Sequence, residues 1–306
     1  MKTSTRSLKF AATVLALSAL SAQEPALFRT DSRLVVLHAT AEDKEGRMVM
    51  DLPKTAFQIY ENGVLQQIKS FRKEDVPVSL GLIIDNSASM TDKRARVAAA
   101  ALGLVKLSNP EDEVFIVNFD EAPSLDADFT SDVKLLQKAL ARIDSRGGTA
   151  MRDALRTAID HVKVRNKKDK KVLVVVTDGN DNSSLEPLDT VIRVAQQNDV
   201  LIYAVGLLSD ETPREADKAK RALDALTRAT GGQSYYPQDV SEIDRIAPQI
   251  AHEIRNQYIV TYSPSNQELD GSFRQIRVLV DSPGVKNIRT RSGYYATPDN
   301  RKSAGS

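Results

Sequence analysis

Short apolar runs alternate with longer amphipathic stretches over residues 78–255, and this alternation constrains the fold more than any other feature. The runs are rich in β-branched residues, which favours strands that are buried on both faces of a parallel sheet. They cover residues 78–84, 114–119, 172–177 and 200–207. The stretches between them predict helices over about 92–107, 132–143, 150–164, 188–198, 214–229 and 241–255. The sequence therefore predicts an α/β fold with a doubly wound, mostly parallel sheet flanked by helices.

Strand patterns stand on both sides of this region. Residues 33–73 are dense in strand formers, and Asn62 with Gly63 predicts a hairpin whose return strand covers 64–71. Further strands are expected at 258–262, 274–280 and 288–295. Because two or three strands alone are marginally stable, we expect 30–76 and 256–296 to form one β-sandwich domain. The domain at 77–255 would then be inserted in it; two separate β flaps docked on that domain are the alternative.

Both chain ends are expected to lie outside these folded parts. Residues 1–22 join a positively charged start to an apolar run at 10–20, which is typical of a secretory signal peptide cleaved after Ser21 or Ala22. That run is too short to cross a membrane, and no other stretch approaches the required length of about 18 residues. We expect an exported chain, periplasmic or secreted, without a transmembrane segment; an uncleaved anchor is the alternative. Residues 297–306 are predicted to be a disordered tail.

Composition excludes several classes of protein. The 42 Lys and Arg residues balance 41 Asp and Glu residues, so the basic excess of a nucleic-acid-binding protein is absent. The basic run at 163–171 is expected to be a solvated helix end and loop, with contact to an anionic partner as the alternative. The absence of Cys excludes disulfide scaffolds, and three His residues supply few ligands for zinc sites. The sequence leaves the oligomeric state open.

Five hydroxyl and carboxylate side chains follow strands or precede a helix in this pattern. Asp85, Ser87 and Ser89 come at the end of the first strand, Thr149 follows two glycines, and Asp178 follows a third strand. Strand ends of a parallel sheet meet at one edge, so we expect these side chains to lie together. Hard oxygen donors favour Mg²⁺, with Mn²⁺ or Ca²⁺ as alternatives. The set predicts a metal site at which a partner protein's carboxylate completes the coordination.

The pattern D-x-S-x-S, G-G-T and D-G resembles the von Willebrand factor type A domain with its metal-ion-dependent adhesion site. The resemblance covers residues 78 to about 255 and implies a Rossmann-like fold. By resemblance, Ser87 and Ser89 would bind the metal directly, and Thr149 would do so in the ligand-bound state. Asp85 and Asp178 would act mainly through water. The alternative interpretation of Asp85, Ser87 and Ser89 is a cluster of helix-capping residues.

The flanking segments extend this resemblance. The motif F-x-I-Y-E-N-G precedes the inserted region, while Q-Y-I-V-T-Y-S-P and R-S-G-Y-Y-A follow it. Together they resemble an exported bacterial family that is related to von Willebrand factor A and abundant in acidobacteria. This family implies a fold and a metal site and carries no assigned biochemical activity.

We therefore expect an exported module for adhesion or assembly that binds a protein through a divalent cation and is not an enzyme. One alternative is a Mg²⁺-dependent hydrolase acting on phosphate esters. It is disfavoured because Ser87 stands where a second Asp is needed, and because no His is near the motif. The other alternative is a structural envelope scaffold, bound through its exposed strand edges, with a metal site that has no function.

Overall fold

The computed structural model of the chain describes residues 33–141, 147–165 and 168–298. The predicted signal peptide and residues 299–306 of the predicted tail lie outside this described part. The strands are β1 (Val35–Glu42), β2 (Phe57–Glu61), β3 (Val64–Gln66), β4 (Ile68–Arg72), β5 (Val78–Asp85), β6 (Glu113–Phe119), β7 (Pro123–Thr130), β8 (Lys170–Thr177), β9 (Val200–Gly206), β10 (Ser234–Tyr235), β11 (Tyr258–Tyr262), β12 (Phe273–Val280), β13 (Asn287–Arg289) and β14 (Gly293–Tyr295). The helices are α1 (Arg94–Leu107), α2 (Val133–Leu140), α3 (Met151–Arg165), α4 (Leu188–Gln197), α5 (Pro213–Thr230) and α6 (Ile243–Asn256).

The central sheet has the strand order β10-β9-β8-β5-β6-β7. Its neighbours pair in parallel, except for β7, which is antiparallel to β6. Every residue of β5 is buried, as expected for a strand in the middle of such a sheet. The predicted α/β fold is confirmed. Strand β7 was not predicted, because its residues are polar or half-exposed and form no apolar run.

Helices cover both faces of the central sheet. Helices α1, α2 and α6 pack on one face through a core that includes Leu80, Leu82 and Ile84 of β5. Helices α3, α4 and α5 pack on the other face, where Ile83 of β5 is buried. All six predicted helices are present, so the sheet is doubly wound. None of the helices in the described residues is both long and apolar enough to cross a membrane.

Two four-stranded antiparallel sheets combine strands from both flanks of the central region. Their orders are β13-β1-β11-β4 and β14-β12-β2-β3. Inner residues of both sheets share one hydrophobic core, which includes Leu37, Ile59, Val260 and Val278. The described part of the chain from Arg33 onward forms one compact unit. The division into domains at 77 and 256 therefore stays a prediction.

Two predicted strands are each divided between these sheets. The expected return strand at 64–71 breaks at Gln67: β3 pairs with β2, whereas β4 pairs with β11 in the other sheet. The expected last strand at 288–295 likewise divides into β13, which pairs with β1, and β14, which pairs with β12. A segment that passes from one layer of a sandwich to the other must leave its first ladder, and this bend ends the strand.

Candidate metal centre

Two neighbouring strands of the central sheet carry the acidic residues of the predicted site. Asp85 is the last residue of β5, and Asp178 directly follows β8, which pairs with β5. Strand β6 follows β5 in the chain and pairs with one edge of it, whereas the later strands β8 and β9 lie on its other edge. The order of the strands therefore reverses at β5. In open α/β sheets, such a reversal opens a crevice beyond the carboxyl ends of the strands. The two carboxylates stand at this crevice.

A continuous series of hydrogen bonds joins four of the five predicted residues. The backbone N–H of Ser87 donates to Oδ1 of Asp85 at 2.8 Å. The hydroxyl oxygens of Ser87 and Ser89 lie 3.2 Å apart. The hydroxyl of Ser89 then donates to Oδ1 of Asp178 at 2.8 Å, across 89 residues of sequence. The fold thus brings Asp85, Ser87, Ser89 and Asp178 together.

Thr149, the fifth predicted residue, lies on the adjoining loop and is buried. This loop contacts the first one through the N–H of Ala88, which donates to the carbonyl of Gly147 at 3.5 Å. The N–H of Thr149 donates to Oδ1 of Asn182 at 2.9 Å, on the loop that follows Asp178. A Cβ at Gly148 would lie 2.6 Å from that same amide oxygen, so a glycine at this position lets the side chain of Asn182 approach the backbone before Thr149. The loop that carries Thr149 is therefore joined by hydrogen bonds to both of the loops that carry the other four residues.

The carboxyl of Asp85 is fully buried, and burial raises its pKa to about 6. Hydrogen bonds to the carboxylate lower this pKa in part. The hydroxyl of Thr177 donates to Oδ2 at 2.5 Å, and the side chain and backbone N–H of Ser87 have the same effect. The negative charge of Asp178 adds to the increase. The low-dielectric edge therefore disfavours two ionised carboxylates, and a cation bound beside them would stabilise both charges.

The donor atoms fit a small, hard divalent cation. Adjacent oxygen ligands of an octahedral Mg²⁺ with bonds of about 2.1 Å lie about 3 Å apart. The hydroxyl oxygens of Ser87 and Ser89, the two expected direct ligands on this loop, lie 3.2 Å apart, which is close to that spacing. The described residues hold no group of three or more His, Cys, Asp or Glu side chains suited to a metal. A site at this edge would therefore depend on neutral hydroxyls as well as on carboxylates.

The structure adds functional neighbours that the sequence did not indicate. Arg94 begins α1 with a fully buried side chain, which donates to Oδ1 of Asn86 at 3.1 Å and of Asn118 at 2.5 Å. Burial lowers the pKa of this guanidinium to about 10, and the charge of Asp85 opposes that shift. The ammonium of Lys93 donates to Oδ2 of Asp178 at 2.8 Å. An Arg or Lys at the start of a helix usually lies in solvent, so no sequence signal distinguished these two residues.

Comparisons with known proteins agree with this architecture. Residues 80–180 match the family model described as von Willebrand factor type A domain. Calcium-activated chloride channel regulator 1 of Mus musculus is 30% identical over 166 residues, which are 52% of this chain and 17% of the mouse protein. An uncharacterized protein of Borreliella burgdorferi is 33% identical over 178 residues, covering 57% of this chain and 51% of that protein.

A solved structure shows the same fold. Proximal thread matrix protein 1 from the mussel byssus, with its MIDAS motif occupied by zinc, matches 63% of this chain and 49% of its own. The TM-score is 0.51 and the sequence identity is 15%. This chain thus spans about half the length of that protein and of the Borreliella relative, and 17% of the mouse protein.

Proposed function

Starting from the von Willebrand factor type A domain that this chain contains, we propose that it is an exported, metal-dependent protein-binding module. The observation that carries the proposal is the hydrogen-bonded series from Asp85 through Ser87 and Ser89 to Asp178 at the open edge of the sheet. Its export stays a prediction from residues 1–22, which lie outside the described part.

The predicted site residues differ in how they would bind the ion. The hydroxyls of Ser87 and Ser89 would hold the ion directly, and that of Thr149 would do so once the partner is bound. Asp85 and Asp178 would act mainly through water. When bound, the ion supplies positive charge that attracts a carboxylate of the partner protein. Because the nearest donors are neutral hydroxyls, the chain itself neutralises the ion only in part, and an Asp or Glu of the partner can complete the coordination.

The chemistry of the donor set favours Mg²⁺ among the candidate ions. Ca²⁺ takes six to eight oxygen ligands, often including bidentate carboxylates, whereas Mg²⁺ takes six and usually keeps several waters. A site built from hydroxyls, with both carboxylates acting mainly through water, suits the ion that keeps its waters. Mn²⁺ accepts the same kind of oxygen site and serves as a spectroscopic substitute.

The test is a calorimetric titration of Mg²⁺ and of Mn²⁺ into the metal-stripped full chain. Saturable binding is expected in the wild type and its loss in Asp85→Ala, with circular dichroism checking the fold. Asp92→Ala is the matched control, because Asp92 is an exposed carboxylate in the same segment. Wild-type binding that Asp85→Ala leaves unchanged would refute the proposed site.

Partner recognition needs a second measurement. Peptides on an array that carry a single Asp or Glu are compared with otherwise identical peptides carrying Asn or Gln, in Mg²⁺ and in chelator. The proposal expects binding that needs both the carboxylate and the metal. Hydrolysis of a phosphate ester that is lost in Asp85→Ala would instead favour the hydrolase.

A further inference from the structure

The ammonium group of Lys93 joins two carboxylates beside the candidate site. Its Nζ lies 2.8 Å from Oδ2 of Asp178 and 2.8 Å from Oδ2 of Asp210. The side chain of Asp178 is 1% exposed, whereas that of Asp210 is 71% exposed. Water screens the exposed carboxylate far more than the buried one, so the charge of Lys93 acts mainly on Asp178.

Both oxygens of the Asp178 carboxylate are engaged by one short segment of the chain. Ser89 donates to Oδ1 and Lys93 donates to Oδ2, each at 2.8 Å. Lys93 immediately precedes α1, so the segment that supplies the predicted hydroxyl ligands also supplies this cation. The candidate metal ligands and the ammonium therefore meet at the same carboxylate.

A third carboxylate lies close to this pair. A Cβ at Gly179 would be 3.1 Å from Oε1 of Glu211, which places the Glu211 carboxyl against the backbone next to Asp178. Burial raises the pKa of Glu211, and the negative charge of Asp178 raises it further. Lys93 opposes that shift. Its positive charge thus offsets a local excess of negative charge from Asp178, Asp210 and Glu211.

We propose that Lys93 is a built-in cation that tunes the candidate site: it weakens divalent-ion binding and strengthens the binding of a partner carboxylate to the loaded site. The inference rests on the proposed metal-dependent function. The ammonium already neutralises Asp178, so a divalent ion gains less from that carboxylate and is repelled by the nearby positive charge. Once the ion is bound, the same ammonium leaves more net positive charge for an incoming carboxylate.

The first test measures Mn²⁺ affinity by electron paramagnetic resonance of the free ion, using the full chain. Lys93→Met is expected to bind Mn²⁺ about tenfold more tightly than the wild type, because a positive charge next to the site is removed. Lys93→Arg keeps the charge and is expected to restore affinity close to the wild-type value. Lys106→Met removes an exposed lysine in the last turn of α1, the helix that Lys93 precedes, and is expected to change nothing.

The second test measures acetate binding to the Mn²⁺-saturated protein, by the fall in water-proton relaxation as acetate replaces metal-bound water. Lys93→Met is expected to bind acetate several-fold more weakly than the wild type. The two expected effects have opposite signs, whereas a general structural defect would weaken both kinds of binding. Circular dichroism verifies the fold, and Lys93→Gln serves as a second neutral variant if Lys93→Met does not fold.

The outcomes separate the two proposals. If the wild type binds Mn²⁺ and Asp85→Ala does not, but the neutral Lys93 variants bind it no more tightly than the wild type, the role of Lys93 is wrong and the metal site stands. If neither the wild type nor these variants bind Mn²⁺, the metal site is wrong and the role of Lys93 fails with it. Binding by the variants alone would support Lys93 as a cation that blocks the site.

Discussion

At the scale of single residues, Lys170 departs from what the sequence predicts. It belongs to the basic run that was expected to lie in solvent, yet only 3% of the residue is exposed. Lys170 is the first residue of β8, and its ammonium donates to the carbonyl of Ile254 near the end of α6. A helix carboxyl end favours a positive charge, so the site is polar although it is buried. Burial nevertheless lowers the pKa of Lys170 to about 8.

This lowered pKa predicts a dependence of stability on pH. Between pH 8 and the usual lysine pKa of about 10.4, the unfolded chain holds a proton that the folded chain has released, so stability rises with pH. We expect the free energy of unfolding of the wild type to gain about 2 kcal/mol between pH 7.5 and 9.5, relative to Lys170→Met. Urea denaturation at each pH gives the difference. Lys106→Met is the control, and equal slopes for wild type and Lys170→Met would contradict the assignment.

The candidate site could be predicted from sequence to the extent that its chemistry follows from local spacing. Asp85, Ser87 and Ser89 stand two residues apart on one loop, and the edge of a parallel sheet is a known place for ligands. Lys93 was missed because its partner Asp178 lies 85 residues further along the chain. A contact of this kind depends on the loop geometry and leaves no spacing pattern in the sequence.

At the scale of elements, one carboxylate fixes where the first strand of the central sheet begins. Oδ1 of Asp112 accepts from the N–H of Val78 at 2.7 Å, and Oδ2 accepts from the N–H of Asn109 at 3.0 Å. Val78 is the first residue of β5, and Asn109 lies in the turn after α1. Asp112 is itself buried, so it joins the start of β5 to this turn away from solvent.

Removing this carboxylate should destabilise the central sheet. Asp112→Ala leaves two backbone N–H groups without their acceptor, and we expect a loss of about 2 kcal/mol in the free energy of unfolding. Asp112→Asn keeps one carbonyl oxygen and should recover part of the loss. Glu111→Ala changes an exposed neighbour and should lie within about 0.5 kcal/mol of the wild type. Urea denaturation compares the variants; an Asp112→Ala protein as stable as Glu111→Ala would show that Asp112 does not hold β5.

The inner strands of the central sheet were easier to predict than its edge strand β7 and the strands of the antiparallel sheets. Strand β5 is buried along its whole length, so hydrophobicity alone marks it. Strand β7, at the edge of the sheet, has no buried residue and carries no comparable signal. The bends that divide β3 from β4 and β13 from β14 follow from the packing of two layers, which local patterns do not encode.

At the scale of the whole molecule, Arg289 joins the antiparallel sheets to the central region. Its guanidinium contacts Oε1 of Glu253 in α6 at 2.7 Å and Oε1 of Glu42 in β1 at 2.8 Å. It also donates to the carbonyl of Gly232 at 3.0 Å. The hydroxyl of Tyr203 in β9 donates to the same Glu253 oxygen at 2.8 Å. Glu42 and Glu253 are buried and the side chain of Arg289 is 15% exposed, so the two carboxylates depend on this cation.

Loss of Arg289 should therefore weaken the connection between these parts. Arg289→Met leaves the carboxylates of Glu253 and Glu42 buried without their cation, and removing one partner of a buried ion pair costs about 3–5 kcal/mol. Arg277→Met, on the exposed side of β12, is the matched control and should change the free energy of unfolding by less than about 0.5 kcal/mol. Urea denaturation followed by circular dichroism measures both. An Arg289→Met protein within about 1 kcal/mol of the control would show that the Arg289 ion pairs do not hold these parts together.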